Sequence, residues 1–508
     1  MSKVYDVLVI GAGGAGLTAA LNAKLSGAEV LVLTKEYPTR SQTCMAQGGI
    51  NAAFGNINED SVDAHIANTL KSAHGEADEE AVRFMCSEAI NSVEWLDSIG
   101  VCFSRTKDSK IAQRTLGGAS APRACYAQDY TGLKILHTIY DRVLEAGIEI
   151  KNEKYLLKLL QNREGRVYGV EVLDIRTGET ESYEANAVVL ASGGYSRVYD
   201  KNSTNSTAST GDGIAVAARA GAKLIDMEFV QFHPTALKNS SILISESARG
   251  EGGYLLNSKG ERFTNELAPR DEVSRAINTE INKGENIFLD IRHLGEEFID
   301  EGLPQERKLA KLYENIDPVH ELIPIKPVAH YTMGGIAVDN KSQTNIEGLF
   351  ACGECANHRV HGANRLGGNS LLEIVVFGKE AGVNAAHFAK NSSPATPGLE
   401  GDSIVQKVKS YKNTRDFYAK REYIGTLFYK NVGIVRREEE LEYALTEIQN
   451  IKQDIEYYGV SDKSKVYNTN LVEFIEFINV LDVSEAIILG ALKRSESCGA
   501  HYMAKEGE

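Results

Sequence analysis

The chain has 508 residues, which is long for one hydrophobic core and predicts about three domains. With 43% apolar and 25% charged residues, its composition is that of a globular protein. The net charge of −15 argues against a nucleic-acid partner, because binding to phosphate backbones requires clustered lysine and arginine.

The N-terminus runs from MSK directly into the strand-like VYDVLVI, which leaves no room for a signal peptide. No run approaches the ~18 uninterrupted apolar residues of a membrane span. Seven cysteines, an odd number in a large chain, indicate free thiols and a reducing compartment. We therefore expect a cytoplasmic protein.

The first forty residues predict a strand, a glycine turn, a helix and a second strand: VLVI, GAGGAG, LTAALNAKLSG and EVLVLTK. Gly11, Gly13 and Gly16 have the G-x-G-x-x-G spacing. In this context the first glycine permits a tight turn, the second lets a pyrophosphate approach the backbone, and the third allows close helix–strand packing. The motif predicts a dinucleotide site and leaves both FAD and NAD open.

Two further apolar runs end in glycine, ANAVVLASGG at 185–194 and GLFACGE at 348–354. Such strands predict one discontinuous nucleotide-binding domain, with residues 234–343 inserted between its parts. SSPATPG, residues 392–398, has the composition of a linker. The segments after it show helical periodicity with few breakers, which predicts a C-terminal helical bundle.

Charged side chains crowd into glycine-rich loops in the second half of the chain. LISESARGEGG, residues 243–253, follows QFHPTAL and brings Ser245, Glu246 and Arg249 together. APRDEVSR adds Arg270 and Arg275, PVAHYTMGGI adds His330, and HGANRLGGNSLLE adds Arg365. Arginine forms charge-assisted, bidentate bonds to carboxylates, so these loops predict a clamp for a dianion. A solvated loop is the alternative for each stretch taken alone.

Cys352 and Cys355 in ACGEC have the C-x-x-C spacing. A metal site would need a second pair, and no second pair is placed for it. We expect two small buried thiols here rather than a redox disulfide, and no metal site.

In chain order the motifs resemble those of the flavoprotein subunit of succinate dehydrogenase and fumarate reductase, and of its relative L-aspartate oxidase. The resemblance runs from about residue 4 to 502 and rests on GAGGAG, TRSQTCMAQGGINAA, VVLASGG, TGDG, QFHPT, ESARGEGG, PRDEVSR, HYTMGGI, GANRLGGNSLLE and RSESCGAH. It implies FAD as the cofactor. It also implies an α/β fold: a Rossmann-like FAD-binding domain (1–233 and 344–392), an inserted α+β capping domain (234–343) and a C-terminal helical domain (393–508).

The resemblance also implies roles for individual residues. The cofactor contacts would be Gly11, Gly13, Gly16, Lys35, Ser41, Gln42, Thr43, Gln47, Gly48, Gly49, Asp212, Glu354, Arg365, Ser370 and Leu371. Substrate carboxylates would be held by His233, Ser245, Glu246, His330 and Arg365. Reduction of fumarate needs a hydride from flavin N5 and a proton for the other alkene carbon. The proton donor would be Arg270, resupplied through Glu246 and Arg249.

Gln42 stands where many relatives have a histidine that is bonded covalently to the flavin. Glutamine cannot form that bond, so we expect noncovalent FAD. Because the link raises the flavin potential, its absence favours fumarate reduction over succinate oxidation.

Two other interpretations stay open. L-aspartate oxidase also binds FAD noncovalently, although GGASAPRACYAQDYTG lacks an acidic residue suited to a substrate ammonium. A noncatalytic flavin-binding assembly component is the second alternative, and the retained arginines and histidines argue against it. By analogy we expect an iron–sulfur partner subunit that is itself tied either to a membrane quinone module or to a soluble thiol-dependent one. Any attachment to the cytoplasmic membrane face would be through such partners.

Overall fold

The computed structural model describes residues 3–393, 398 and 403–504. Its strands are β1 Val4–Ile10, β2 Val30–Leu33, β3 Ile50–Asn51, β4 Gln113–Arg114, β5 Ala124–Cys125, β6 Glu149–Lys151, β7 Lys154–Gln161, β8 Val167–Asp174, β9 Thr180–Leu190, β10 Leu224–Ile225, β11 Val230–Leu237, β12 Tyr254–Leu256, β13 Ile287–Asp290, β14 Ile323–Thr332, β15 Gly335–Ala337, β16 Leu349–Ala351 and β17 Ala356–Asn357.

The helices are α1 Gly14–Leu25, α2 Val62–Ser72, α3 Glu79–Ser87, α4 Ala89–Ser98, α5 Thr131–Glu145, α6 Asp212–Arg219, α7 Glu246–Gly250, α8 Arg270–Asn282, α9 Glu296–Gly302, α10 Pro304–Glu314, α11 Asn369–Asn391, α12 Ile404–Lys409, α13 Phe417–Asn431, α14 Glu438–Gln453 and α15 Thr469–Lys493. The mixture of parallel sheet and helices confirms the predicted α/β class.

The largest sheet has seven strands and is built from distant parts of the chain. Its order is β6-β2-β1-β9-β8-β7, and β16 pairs with the C-terminal part of β9. The strands β6, β2, β1, β9 and β16 are parallel, whereas β8 pairs antiparallel with both of its neighbours, β9 and β7. The predicted strand–turn–helix–strand unit and the two later glycine-terminated strands are confirmed as β1–α1–β2, β9 and β16.

A second, antiparallel sheet of order β11-β14-β13-β12 belongs to the inserted part of the chain. It carries its own hydrophobic core, which includes Leu237, Leu255 and Ile325 and is packed by α8. β11 begins at Val230, slightly before residue 234, where the inserted domain is predicted to start. The division into domains remains a proposal.

The C-terminal helices share a hydrophobic core with the large sheet. Phe474 and Phe477 on α15 share one continuous core with the strand residues Leu8 and Val188. The helical periodicity predicted within residues 411–425 and 437–455 is confirmed by α13, which begins later and runs on to Asn431, and by α14. The predicted linker lies largely outside the described residues.

Candidate active site

The turn between β1 and α1 opens one end of a large cleft. A Cβ added at Gly11 (φ +108°) would lie 2.3 Å from the Ala191 carbonyl oxygen, and one at Gly16 would lie 2.0 Å from the Gly11 oxygen. These two glycines therefore allow close packing. A Cβ on Gly13 would meet nothing nearer than 3.6 Å, which leaves the α1 N-terminus open to a ligand.

The cleft runs from this turn to the loops of the inserted domain. It brings together all of the predicted cofactor residues except Gly16, which lies behind the turn. It also collects the substrate set and Arg270, but not Arg249. The predicted residues that line it are Gly11, Gly13, Lys35, Ser41, Gln42, Thr43, Gln47, Gly48, Gly49, Asp212, His233, Ser245, Glu246, Arg270, His330, Glu354, Arg365, Ser370 and Leu371.

Several buried polar atoms in the cleft have no hydrogen-bond partner in the described part of the chain, and such atoms show whether a ligand like FAD would fit. Ser41 Oγ, Gln47 Oε1 and Ser192 Oγ are buried, and none has a hydrogen-bond partner among the described residues. Buried polar groups are normally paired, so these atoms indicate a polar ligand along the cleft. Together with the open α1 N-terminus they fit a dinucleotide as large as FAD.

Lys35 anchors one side of the cleft through a buried ion cluster. Its Nζ donates to Asp212 Oδ2 at 2.9 Å and also pairs with Glu476 on α15. Burial lowers the lysine pKa, but the two carboxylates outweigh it, so the pKa lies above its usual value. Tyr155 Oη donates to the other Asp212 oxygen at 2.8 Å. The cluster ties the C-terminal helix α15 to the cleft wall.

Gln42 lies on the short 3₁₀ turn Gln42–Met45 at the cleft wall. Its Oε1 accepts a hydrogen bond from the Ser206 backbone N–H at 2.8 Å. The glutamine is therefore held by protein at the position where a covalent flavin link would need a histidine.

At the other end of the cleft, three charged side chains form a chain of contacts. Arg270, at the start of α8, donates to Glu246 Oε2 from Nε at 3.2 Å and from Nη2 at 2.6 Å. Arg249, one helical turn along α7 from Glu246, reaches the other carboxylate oxygen at 3.4 Å. All three are buried. A proton can thus pass along side chains that already touch.

With Arg365 included, the charged groups at this end carry more positive than negative charge. Burial raises the pKa of Glu246, but Arg270 and Arg249 lower it by more, so the carboxylate is ionised at neutral pH. Burial is the main cause that lowers the pKa of Arg365 to about 10, and the nearby Arg270 charge adds to it. Three guanidinium groups and one carboxylate leave two positive charges.

His233 and His330 face each other with ring centroids 4.8 Å apart. Burial, and then the positive charge of Arg270, lower the pKa of both rings well below the usual range. Both histidines are therefore neutral hydrogen-bonding groups near pH 7. Ser245 caps α7, and its Oγ accepts from the Ser247 N–H at 3.1 Å.

The sequence prediction missed neutral residues that organise the charged ones. Gln231 Oε1 accepts from Arg270 Nη1 and from Arg365 Nη2, each at 3.1 Å. Thr204 Oγ1 lies 2.7 Å from His330 Nδ1. Gln231 stands two residues before His233 on β11, and that proximity was the available signal. Thr204 comes from a loop that no motif marked.

Other flagged residues lie away from the charged group. Arg275 turns from the cleft and donates to the Gly499 carbonyl at 2.8 Å. Cys352 and Cys355 are free, buried thiols, as predicted. Within the described residues, no cluster of His, Cys, Asp and Glu is arranged to hold a metal ion. In that same part of the chain, no helix combines the length and apolarity needed to cross a membrane.

Comparison with known proteins gives matches along nearly the whole chain. The family described as FAD binding domain matches residues 6–371, and the family described as fumarate reductase flavoprotein C-term matches residues 421–505. The 8-methylmenaquinol:fumarate reductase flavoprotein subunit of Wolinella succinogenes is 40% identical over 522 residues, which cover 98% of this chain and 85% of the relative.

The succinate dehydrogenase flavoprotein subunit of Rickettsia felis is 38% identical over 535 residues, covering 98% of this chain and 89% of that protein. A solved structure of quinol-fumarate reductase with menaquinol molecules superposes with a TM-score of 0.93 at 35% identity, covering 100% of this chain and 93% of that one. The chain therefore belongs to the family of fumarate reductase and succinate dehydrogenase flavoprotein subunits, which are FAD-binding oxidoreductases.

Proposed function

We propose that this chain is the catalytic flavoprotein subunit of an enzyme that interconverts fumarate and succinate at noncovalently bound FAD, with a bias to fumarate reduction. The observation that carries the proposal is the excess of positive charge around the inner end of the cleft: Arg270 and Arg365 line its wall, and Arg249 lies behind Glu246, the carboxylate that Arg270 and Arg249 contact. A dicarboxylate carries two negative charges, which this positive charge attracts and offsets when the substrate is buried.

The two neutral histidines extend the carboxylate site. His233 and His330 line the cleft beside Arg365 and Arg270. Because they carry no charge near pH 7, they orient a carboxylate by hydrogen bonding while the arginines supply the attraction. Ser245 adds a hydroxyl to the same wall.

Arg270 is the proposed proton donor to the substrate carbon. The flavin, when bound and reduced, would supply the hydride for the other alkene carbon. The carbon that receives the proton is strongly basic, so even a weak acid such as a guanidinium can protonate it. Glu246 accepts both contacts from Arg270, and Arg249 reaches its other oxygen, so these two residues return the proton to Arg270.

Noncovalent FAD rests on Gln42. A glutamine side chain has no nucleophilic atom suited to a bond with the flavin methyl group, and its oxygen is taken up by the Ser206 N–H. Acid precipitation tests this directly, because noncovalent FAD stays in the supernatant. Flavin that pellets with the protein would contradict it.

The activity test needs no partner subunit. The purified flavoprotein is reduced anaerobically, mixed with fumarate, and followed by flavin absorbance in a stopped-flow instrument. Rapid reoxidation is the expected result. No reoxidation by fumarate, combined with reduction of the oxidised flavin by L-aspartate, would move the assignment to L-aspartate oxidase.

The electrons come from outside this chain, because the sequence carries no iron–sulfur cysteine cluster and no second dinucleotide motif. The matching proteins are named as subunits of larger enzymes. We propose an iron–sulfur subunit as the direct partner and a membrane quinone module beyond it, with this chain on the cytoplasmic face. Copurification of an iron–sulfur protein with the tagged chain from its own organism tests this.

A further inference from the structure

Arg365 is a buried guanidinium whose protein contacts go to neutral oxygens. Its Nη2 donates to Gln231 Oε1 at 3.1 Å and its Nη1 to the Leu366 carbonyl at 3.3 Å. Its Nε has no hydrogen-bond partner among the described residues. The pKa of the guanidinium is lowered to about 10, chiefly by burial. The guanidinium is therefore held by groups other than a directly contacting carboxylate.

The aromatic ring of Tyr331 lies beside this guanidinium. The Arg365 Cζ atom is 4.5 Å from the ring centroid. A planar guanidinium packs well on the face of an aromatic ring, and the attraction grows when both groups are removed from water. Tyr331 is itself buried, at the end of β14.

The hydroxyl of Tyr331 is fixed by a carboxylate behind it. Tyr331 Oη donates to Glu373 Oε2 at 2.5 Å, and His361 Nε2 lies 3.1 Å from the same oxygen. Burial raises the pKa of Glu373, but His361, His358 and the Tyr331 hydroxyl together lower it by more, so the pKa of Glu373 lies below its usual value and the carboxylate form is favoured. Donation to a carboxylate polarises the phenol and makes the ring face more negative, which strengthens its hold on a cation.

None of these three residues has a role in the mechanism given above, and two of them, Glu373 and His361, do not line the cleft. We propose that Tyr331, Glu373 and His361 are positioning residues that hold the Arg365 guanidinium charged and in place for a substrate carboxylate. The inference rests on the proposed function and deepens it, since it names the support of one carboxylate site. Tyr331 acts through its ring, Glu373 through the Tyr331 hydroxyl, and His361 through Glu373.

The proposal predicts a change in pH dependence. The groups that face Arg365 are Arg270, Glu246, Glu354, Tyr331 and His330. Loss of the Tyr331 hydroxyl or of the Glu373 charge removes negative potential near Arg365. The guanidinium then loses its proton at lower pH, so dicarboxylate affinity falls earlier as pH rises. A residue with a merely structural role would not move this profile.

The test measures malonate binding to the oxidised holoprotein by the change in flavin absorbance, from pH 7 to 9.5. For Tyr331→Phe and Glu373→Gln we expect the malonate Kd to rise about 5-fold at pH 7 and a further ~10-fold by pH 9. Wild-type protein should change less than about 3-fold over the same range. Tyr331→Leu, which also removes the ring, should bind malonate more weakly than Tyr331→Phe at every pH.

Tyr199→Phe is the matched control, because Tyr199 is a buried tyrosine whose hydroxyl donates to the Val432 carbonyl at 2.9 Å. It should keep the wild-type profile. If Glu373→Gln does not retain FAD, Tyr331→Phe decides the question. Parallel pH profiles for Tyr331→Phe and wild type would overturn this inference and leave the proposed function standing. Wild-type protein that binds no malonate and is not reoxidised by fumarate would overturn the proposed function itself.

Discussion

Arg270 places two of its nitrogens on a single oxygen of Glu246, with Nε at 3.2 Å and Nη2 at 2.6 Å. This grip needs the forked guanidinium, and a lysine ammonium cannot reproduce it. We therefore expect Arg270→Lys to lower the rate of reoxidation by fumarate about 10³-fold. Single-turnover stopped-flow measurement of the reduced flavoprotein checks this.

Arg275→Lys is the control for that variant, because Arg275 follows on the same helix and bonds Asp271 at 2.8 Å outside the cleft. It should keep its reoxidation rate within about 3-fold of wild type. An Arg270→Lys protein that keeps most of its turnover would mean that Arg270 is not the proton donor.

A variant of Glu246 tests the supply of protons to Arg270 separately from the attraction of the substrate. Glu246→Gln keeps a similar shape but removes the negative charge that two arginines share. We expect the turnover number to fall about 10²-fold or more, because the amide cannot pass a proton to Arg270. The KM for fumarate should stay level or fall, since one more positive charge faces the dianion.

Steady-state kinetics with reduced dye as electron donor gives both constants for this variant. Glu272→Gln, an exposed acidic residue on α8, should leave both unchanged. A rise in KM with an unchanged turnover number would contradict the proton-relay role.

The strands and helices of the nucleotide-binding domain can be predicted from the sequence because local residue patterns determine them. Apolar periodicity is enough to predict β1 and α1, and the close packing that Gly11 and Gly16 allow is enough to predict the turn between them. Charged motifs likewise marked Arg270 and Arg365 as site residues.

What sequence patterns do not reveal is which side chains meet across distant loops. Gln231 bridges Arg270 and Arg365, which lie 39 and 134 residues further along the chain. A neutral amide carries no chemical signature of its own, so only its position between two arginines identifies it. Tyr331 and Glu373 are similar cases, because β14 and α11 approach each other only in the folded chain.

Lys35 is expected to stabilise the cofactor domain through its two carboxylate partners. Lys35→Met would leave Asp212 and Glu476 buried together without their shared cation. Breaking a buried ion pair from one side costs about 3–5 kcal/mol. We expect a lower free energy of unfolding in urea and weaker retention of FAD on dialysis.

Lys3→Met provides the comparison, since Lys3 pairs with Glu29 at the surface, where both side chains are more than half exposed. It should unfold at the wild-type urea concentration. Equal behaviour of the two variants would show that the Lys35 cluster adds nothing to stability.

Glu306 on α10 makes stability depend on pH in a defined direction. Burial, and next the negative charge of Asp129, raise its pKa from 4.5 to about 8. In the unfolded chain the carboxyl ionises near its ordinary value, so between these two pKa values the folded state holds the additional proton. Stability therefore falls as pH rises through this window, by about 1.4 kcal/mol per pH unit from this group.

Glu306→Gln removes the titratable carboxyl, so folding no longer involves uptake of a proton at this position. The variant should gain stability relative to wild type as pH rises, by up to about 4 kcal/mol at pH 8.5 and much less at pH 5.5. Urea unfolding of the holoprotein at the two pH values measures the difference. Glu301→Gln, an exposed neighbour on α9, should leave the pH dependence unchanged. If Glu306→Gln follows the wild-type curve at both pH values, Glu306 does not keep its proton in the folded protein, and the neighbouring Arg114 must hold it ionised despite its burial.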